Sequence, residues 1–187
     1  QAWRILGETV YGTKTINAAG INTIFGKYPI LLANGSNTAH YASPYYRPPY
    51  NAESLEKALG LLMMEYDNLK SEETYIYDLC DVMNQVLINS SSVYYTEMVK
   101  GLVYNDFDRF RSYKNKFIRC IELIDEVSSH VSDTTLRNWV GRVDNWVNDD
   151  RTGEYSDYDI DTMKHNALML ITTWATHDEL IGYANRC

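Results

Sequence analysis

Two aromatic residues near the end of the chain, Trp174 and Tyr183, flank a short polar run, Ala175-Thr-His-Asp-Glu179. Before that run, Met163, Ala167, Leu170, Ile171 and Trp174 recur at helical spacing. After it, Leu180-Ile-Gly-Tyr183 begins a second apolar segment. The pattern predicts a helix ending near Trp174, a polar loop, and a new helix carrying Tyr183. Trp174, Leu180 and Tyr183 would then surround one loop. Aromatic rings beside polar groups can wall the apolar face of a sugar while the polar groups meet its hydroxyls. The same pattern also fits two aromatic anchors of a helical core. Asp178 and Glu179 in the loop suit either a contact with a sugar hydroxyl or a solvated turn.

Other reactive residue types are scattered. His40, His130, His165 and His177 form no H-E-x-x-H or Cys/His cluster, so no metal or cofactor is implied. No G-x-S-x-G, phosphate-cradling or dinucleotide glycine pattern is present. Cys80, Cys120 and Cys187 contain no C-x-x-C, and the first two fall on apolar stripes of separate helices. They read as free, buried, small hydrophobes. Asp157, Asp159 and Asp161 crowd a helix start, where negative charge is favourable, and read as solvated caps. Asn34-Gly-Ser36 and Asn89-Ser-Ser91 fit the glycosylation triplet, a pattern short enough to arise by chance.

The elements that must position these residues are helical. The 187 residues suffice for one domain with a real core, and 45 % apolar content is ordinary for a globular protein. A net charge of −8 argues against nucleic acid as a partner. No apolar run is long enough to span a bilayer. Ala2–Tyr11 reads as a short helix with Trp3, Leu6 and Val10 on one side. Residues 12–50 are rich in Tyr, Gly, Asn and Ser, with prolines at 44, 48 and 49, and form a long irregular segment. A loop of that length is usually functional or packed on a partner surface.

From Asn51 onward, successive stripes at helical period predict an antiparallel bundle over 51–187. Asn51 caps Leu55, Ala58, Leu59, Leu62 and Met63. Ser71-Glu-Glu-Thr precedes Ile76, Leu79, Met83, Val86, Leu87, Val93 and Tyr94. Asn105-Asp106 precedes Phe110, Tyr113, Phe117, Ile121, Ile124 and Val127. Ser132-Asp133 caps Leu136, Trp139, Val140, Val143 and Val147. Ser156 with Asp159 makes a capping-box start for the last helix. The expected fold is therefore all-α: residues 1–187 as one domain, a helical bundle preceded by a Tyr/Pro/Gly-rich irregular segment. No initiator Met or signal peptide opens the chain, and both ends read as cut, so a piece of a longer protein is expected.

Four stretches also carry a family resemblance. Asn166-Ala-Leu-Met-Leu-Ile-Thr-Thr-Trp174 followed by Tyr183-Ala-Asn-Arg resembles the C-terminal region of glycoside hydrolase family 89, the α-N-acetylglucosaminidases. Ala2-Trp-Arg-Ile-Leu-Gly-Glu-Thr-Val-Tyr11 is similar to the segment that follows that family's catalytic barrel. Ser92-Val-Tyr-Tyr-Thr-Glu97 and Ile124-Asp-Glu-Val127 match two further motifs, and all four fall in the family's order. The chain departs from the pattern at Leu168, where the family has Arg, at Ala175 in place of Gly, and at Gly182 in place of Asp. Leu168 cannot form the bidentate hydrogen bonds of an arginine.

The resemblance implies a C-terminal helical domain of a retaining α-N-acetylglucosaminidase, which hydrolyses terminal α-linked N-acetylglucosamine. It implies the upstream barrel as partner and a glycan as substrate. It also implies an extracytoplasmic location, whether secreted, periplasmic or lysosomal. Both catalytic glutamates of the family lie in the barrel, so no catalytic residue is expected in this chain. The chain alone should be inactive. By the resemblance, Trp174 and Leu180 supply apolar wall, and Tyr183 supplies wall with a hydroxyl donor. The alternative is a non-catalytic helical module that binds a protein or a glycan.

Overall fold

The computed structural model describes residues 1–11, 50–149, 153 and 155–171. Apart from Tyr50, the expected irregular segment lies outside them. The described residues are all-α: each regular element is a helix, and there is no strand among them. They are α1 (Ala2–Ile5), continuing as a π-helical turn over Leu6–Tyr11, α2 (Ala52–Met63), α3 (Tyr66–Leu69), α4 (Glu73–Val103), α5 (Phe107–Ser128), α6 (Leu136–Asp149) and α7 (Asp157–Ile171). Contacts group α1–α5 into one compact unit and α6–α7 into another.

In the first unit, Asn51 caps α2 as its type predicts, its side chain accepting from the Glu53 N–H at 2.9 Å. Leu55, Ala58 and Leu62 turn inward onto Ala2 and Leu6 of the N-terminal helix and onto Tyr75, Leu79 and Val82 of α4. Tyr75 brings a hydroxyl into this core and satisfies it by donating to the Leu62 carbonyl at 2.6 Å. The expected face of the first helix is off by one position. Leu6 is fully buried, but Trp3 is half exposed, because the buried face runs through Ala2 and Leu6, four residues apart.

α4 and α5 form an antiparallel hairpin joined by three residues, Tyr104, Asn105 and Asp106. Asn105 takes the left-handed conformation (φ 57°). The Asp106 N–H reaches the Gly101 carbonyl at 2.8 Å and the Asn105 N–H reaches that of Leu102 at 3.2 Å, a Schellman closure. Asp106 then caps α5, its carboxylate accepting from the Arg109 N–H at 3.0 Å. α5 runs back along α4, with Tyr95 against Phe117 (5.6 Å between ring centres) and the Asn84 amide donating to the Ser128 hydroxyl at 3.1 Å. Cys80 and Cys120 are both buried and free.

The burial pattern of α4 departs from its apolar stripe. Ser91, Ser92 and Thr96 are buried, while Val93 is exposed. The hydroxyls satisfy themselves on helix carbonyls, Ser91 on Ile88 at 2.7 Å and Thr96 on Ser92 at 2.8 Å. Burying them therefore leaves no donor unpaired. Asn89 lies mid-helix, its amide donating to the Tyr50 hydroxyl at 3.3 Å and its carbonyl accepting from Gln85 at 3.1 Å. The Asn89-Ser-Ser91 triplet is thus helical and engaged, unlike the exposed loop that glycosylation favours.

Glu97 ties the hairpin together. Its carboxylate accepts from Lys100 at 2.7 Å and from the Arg109 guanidinium of α5. The Lys100 hydrogen bond, then that of Arg109, lowers its pKa from the ordinary glutamate value. A depressed carboxylate pKa adds stability above the unfolded-state pKa and loses it as pH falls through the lower folded-state value. Glu97→Gln is expected to cost on the order of 1 kcal/mol at neutral pH. The difference from wild type should shrink as pH drops below the ordinary glutamate range, about 4.3. Urea unfolding of both proteins from pH 7 to pH 3 checks this. A gap that stays constant across that range would count against the ion pair.

In the second unit, Ser132–Thr134 forms a 3₁₀ turn of its own and α6 begins at Leu136, later than the expected Ser132-Asp133 cap. Thr135 precedes the helix, its hydroxyl donating to the Ser132 carbonyl at 2.8 Å. Leu136 is consequently exposed, while Val143 is fully buried. The capping box at α7 forms as expected, with Asp159 in the role usually taken by Glu. The Ser156 N–H donates to the Asp159 carboxylate at 2.9 Å and the Asp159 N–H donates back to the Ser156 hydroxyl at 3.3 Å. Trp139 is tied to Ala167 and Asp144 to Lys164 (2.7 Å) across the helix pair. Later residues of α6 meet earlier residues of α7, so the pair is antiparallel.

Candidate functional site

The second unit contains a cleft of about 320 Å³ between α6 and α7. From α6 it is lined by Trp139, Arg142, Val143 and Trp146, and from α7 by Met163, Asn166, Ala167 and Leu170. Met163, Ala167 and Leu170 are the stripe that the sequence predicted for one face of the last helix. Trp139 and Trp146 share a face because seven residues is close to two helical turns. That spacing was the available signal for the α6 wall, and the sequence reading did not use Trp146 or Arg142.

The two indoles differ in their surroundings. Trp139 is half-buried, and its Nε1–H donates to the Ala167 carbonyl at 2.8 Å. The Arg142 guanidinium lies 5.6 Å from the centre of the Trp139 ring, within cation–π range. Trp146 is 65 % exposed, an unusual state for so large an apolar surface. Its exposed ring is available to an apolar partner, and Asn166 and Arg142 supply polar groups beside it.

The described lining offers aromatic, apolar and polar groups. None of the described lining residues is a carboxylate or a nucleophile. Asp159 is held below the ordinary aspartate range by the Ser156 hydroxyl and then the Ser156 N–H, which favours the ionised form rather than a proton donor. Asp157 and Asp161 are exposed. Of the three, Asp159 makes the capping bonds at the start of α7. Burial raises the thiol pKa of Cys80 and Cys120, which disfavours the nucleophilic thiolate. Burial also raises the carboxyl pKa of Asp81 and of Asp78, the latter further raised by Asp81, but both lie on α4 in the other unit. Among the described residues, no group of His, Cys, Asp and Glu is placed to hold a metal ion. No described helix is long and apolar enough to cross a membrane. Trp174, Leu180 and Tyr183 lie outside the described residues, as do Asp178 and Glu179. α7 carries the start of their motif, Asn166-Ala-Leu-Met-Leu-Ile171, up to the cleft.

Comparison with known proteins decides the family. The model of the alpha-N-acetylglucosaminidase (NAGLU) C-terminal domain matches residues 1–187. The chain belongs to that family. It is 23 % identical over 187 residues to human alpha-N-acetylglucosaminidase, covering 99 % of this chain and 23 % of that protein. It is similar to a family 89 glycoside hydrolase from Clostridium perfringens in complex with PUGNAc, with 27 % identity and a TM-score of 0.68. That likeness covers 99 % of this chain and 21 % of the other. A further Clostridium perfringens structure, a variant with two glutamates changed to glutamine in complex with its substrate GlcNAc-α-1,4-galactose, gives 26 % identity and a TM-score of 0.70. It is covered over 20 % of its length, against 99 % of this chain. This C-terminal domain thus spans about a fifth to a quarter of the relatives it matches, and they are glycoside hydrolases.

Proposed function

We propose that this chain serves as the C-terminal domain of a retaining α-N-acetylglucosaminidase, which removes terminal α-linked N-acetylglucosamine from glycans. The family match over residues 1–187 carries this reading. The lack of a carboxylate in the described part of the α6–α7 cleft supports a wall rather than a catalytic role. In this reading the whole chain acts as one domain and packs on a catalytic barrel upstream. Trp174, Leu180 and Tyr183 line one side of the barrel's pocket, and no cofactor is used. A retaining mechanism needs two carboxyl groups about 5–5.5 Å apart, and both come from the barrel. The enzyme acts outside the cytoplasm, by inference from its family.

The test compares two proteins. The full-length protein is expected to hydrolyse an aryl α-N-acetylglucosaminide with retention at the anomeric carbon. Purified residues 1–187 should give no turnover above background. Inversion, or an inactive full-length protein, would overturn the reading and favour a stand-alone binding module. Turnover by the isolated chain would return attention to Asp178 and Glu179.

A further inference from the structure

The N-terminal helix buries one face and leaves the other bare. Ala2 and Leu6 pack into the core with α2 and α4. One position on from Ala2, Trp3 is 54 % exposed. Its indole makes no hydrogen bond among the described residues. Gly7 follows four residues later, on the same side of the helix as Trp3. A Cβ at Gly7 would meet nothing within 4 Å, and its φ lies outside the left-handed region. Neither packing within the domain nor backbone conformation therefore calls for glycine there, although glycine is the poorest helix former after proline. What glycine does supply is a low point where another backbone or side chain can come close. Trp3 beside Gly7 thus sets a raised ring next to a notch. Arg4 and Glu8 come next round the helix, both exposed and without an ion pair among the described residues. An aromatic centre with polar groups at its margin has the anatomy of a protein–protein interface.

Chain order identifies the partner. The chain matches a C-terminal domain and spans about a fifth to a quarter of its relatives, so most of such a protein lies outside it. A domain placed ahead of this one joins at Gln1, two residues before Trp3. At about 3.3–3.6 Å per extended residue, Trp3 stands within about 7 Å of that junction. We propose that the Trp3–Gly7 face is where the upstream catalytic domain seats on this one. Trp3 enters that domain's surface, and Gly7 admits one of its side chains. This rests on the function proposed above.

The experiment uses the full-length protein. Hydroxyl-radical labelling of the unmodified protein needs no variant to fold. Trp3 should oxidise at least about tenfold more slowly than in the urea-unfolded protein, whereas a ring left 54 % exposed would slow only about twofold. Gly7→Ala should lower the unfolding midpoint of this domain by about 2–4 °C, because the added methyl crowds the seated partner. Gly60→Ala, equally open but on α2, should raise it. Trp3→Ala should speed proteolytic separation of the two domains about tenfold. Rapid oxidation of Trp3, a Gly7→Ala midpoint at or above wild type, or an unchanged cleavage rate in Trp3→Ala each overturns the proposal. So does a full-length dimer that Trp3→Ala dissociates, because the face would then belong to a second copy. If the wild-type protein gives no turnover of an aryl α-N-acetylglucosaminide while Trp3 is protected, the proposed function has failed and the docking of an upstream domain has not.

Discussion

Gly101→Ala is expected to destabilise the protein by about 2 kcal/mol, within the range for overpacking a tight contact. A Cβ built at Gly101 would stand 2.6 Å from the Phe110 nitrogen, 2.9 Å from its Cα and 3.0 Å from the Asp106 carbonyl oxygen. All three are backbone atoms of the first turn of α5 or its cap, so no side chain can swing aside. The helices must separate, and the Asp106-to-Gly101 hydrogen bond that closes the hairpin must stretch. Helix propensity pulls the other way, since alanine is favoured over glycine by about 1 kcal/mol in a helix interior. The clash is the larger effect, so the sign is unfavourable. Gly60 in α2 is the control, because a Cβ there meets nothing within 4 Å. Gly60→Ala should raise stability by up to about 1 kcal/mol. For a domain of this size each kcal/mol corresponds to about 2–4 °C in Tm. Thermal unfolding should therefore move in opposite directions in the two variants. A Gly101→Ala protein as stable as Gly60→Ala would mean the hairpin is looser than the structure has it.

Trp174→Ala carries the largest expected effect on activity. Under the proposed function, in the full-length protein it should remove stacking area against the sugar while leaving the barrel's two carboxylates in place. Losing such a contact costs on the order of 1–3 kcal/mol, by analogy with buried apolar side chains. That corresponds to a loss of roughly ten- to a hundredfold in kcat/KM. A Trp that merely anchors a core behaves differently. Its truncation costs about 3–5 kcal/mol of stability and leaves the activity of the folded fraction nearly intact. Measuring kcat/KM and the unfolding midpoint on one variant separates the two roles. A collapsed midpoint with wild-type kcat/KM in the surviving folded protein would assign Trp174 to the core.

Features that depend on a few neighbouring residues were legible in the sequence. Asn51, Asp106 and the Ser156–Asp159 pair cap their helices as their types suggest, because a cap is a contact across two or three residues. Cys80 and Cys120 are buried and free, as their places on apolar stripes implied. The family was legible as well, from four motifs in order along the chain. The residues proposed for the sugar wall, Trp174, Leu180 and Tyr183, came from those motifs and lie outside the described residues.

Features that depend on which neighbour a helix meets were not legible. α4 meets α2 through Tyr75, Leu79 and Val82 and meets α5 from Asn84 onward, so one stripe cannot describe it. Where the start of α5 comes close to α4, the sequence places Gly101, and nearby burial falls on Ser91, Ser92 and Thr96 rather than on Val93. Met63 and Leu136 follow the apolar period of their helices yet are exposed, because the faces that bury are set by the packing.

The chain by itself determined helix, cap and kinship, since these follow from backbone preference and from residue types at short range. The tertiary structure alone decided that Trp139 donates to Ala167, that Trp146 stays open beside it, and that α5 crosses α4 at Gly101. Those contacts join residues nine to twenty-eight positions apart or set a ring against empty space. Only the mutual placement of helices brings such groups within hydrogen-bonding or van der Waals reach, and side-chain periodicity carries no information about that distance.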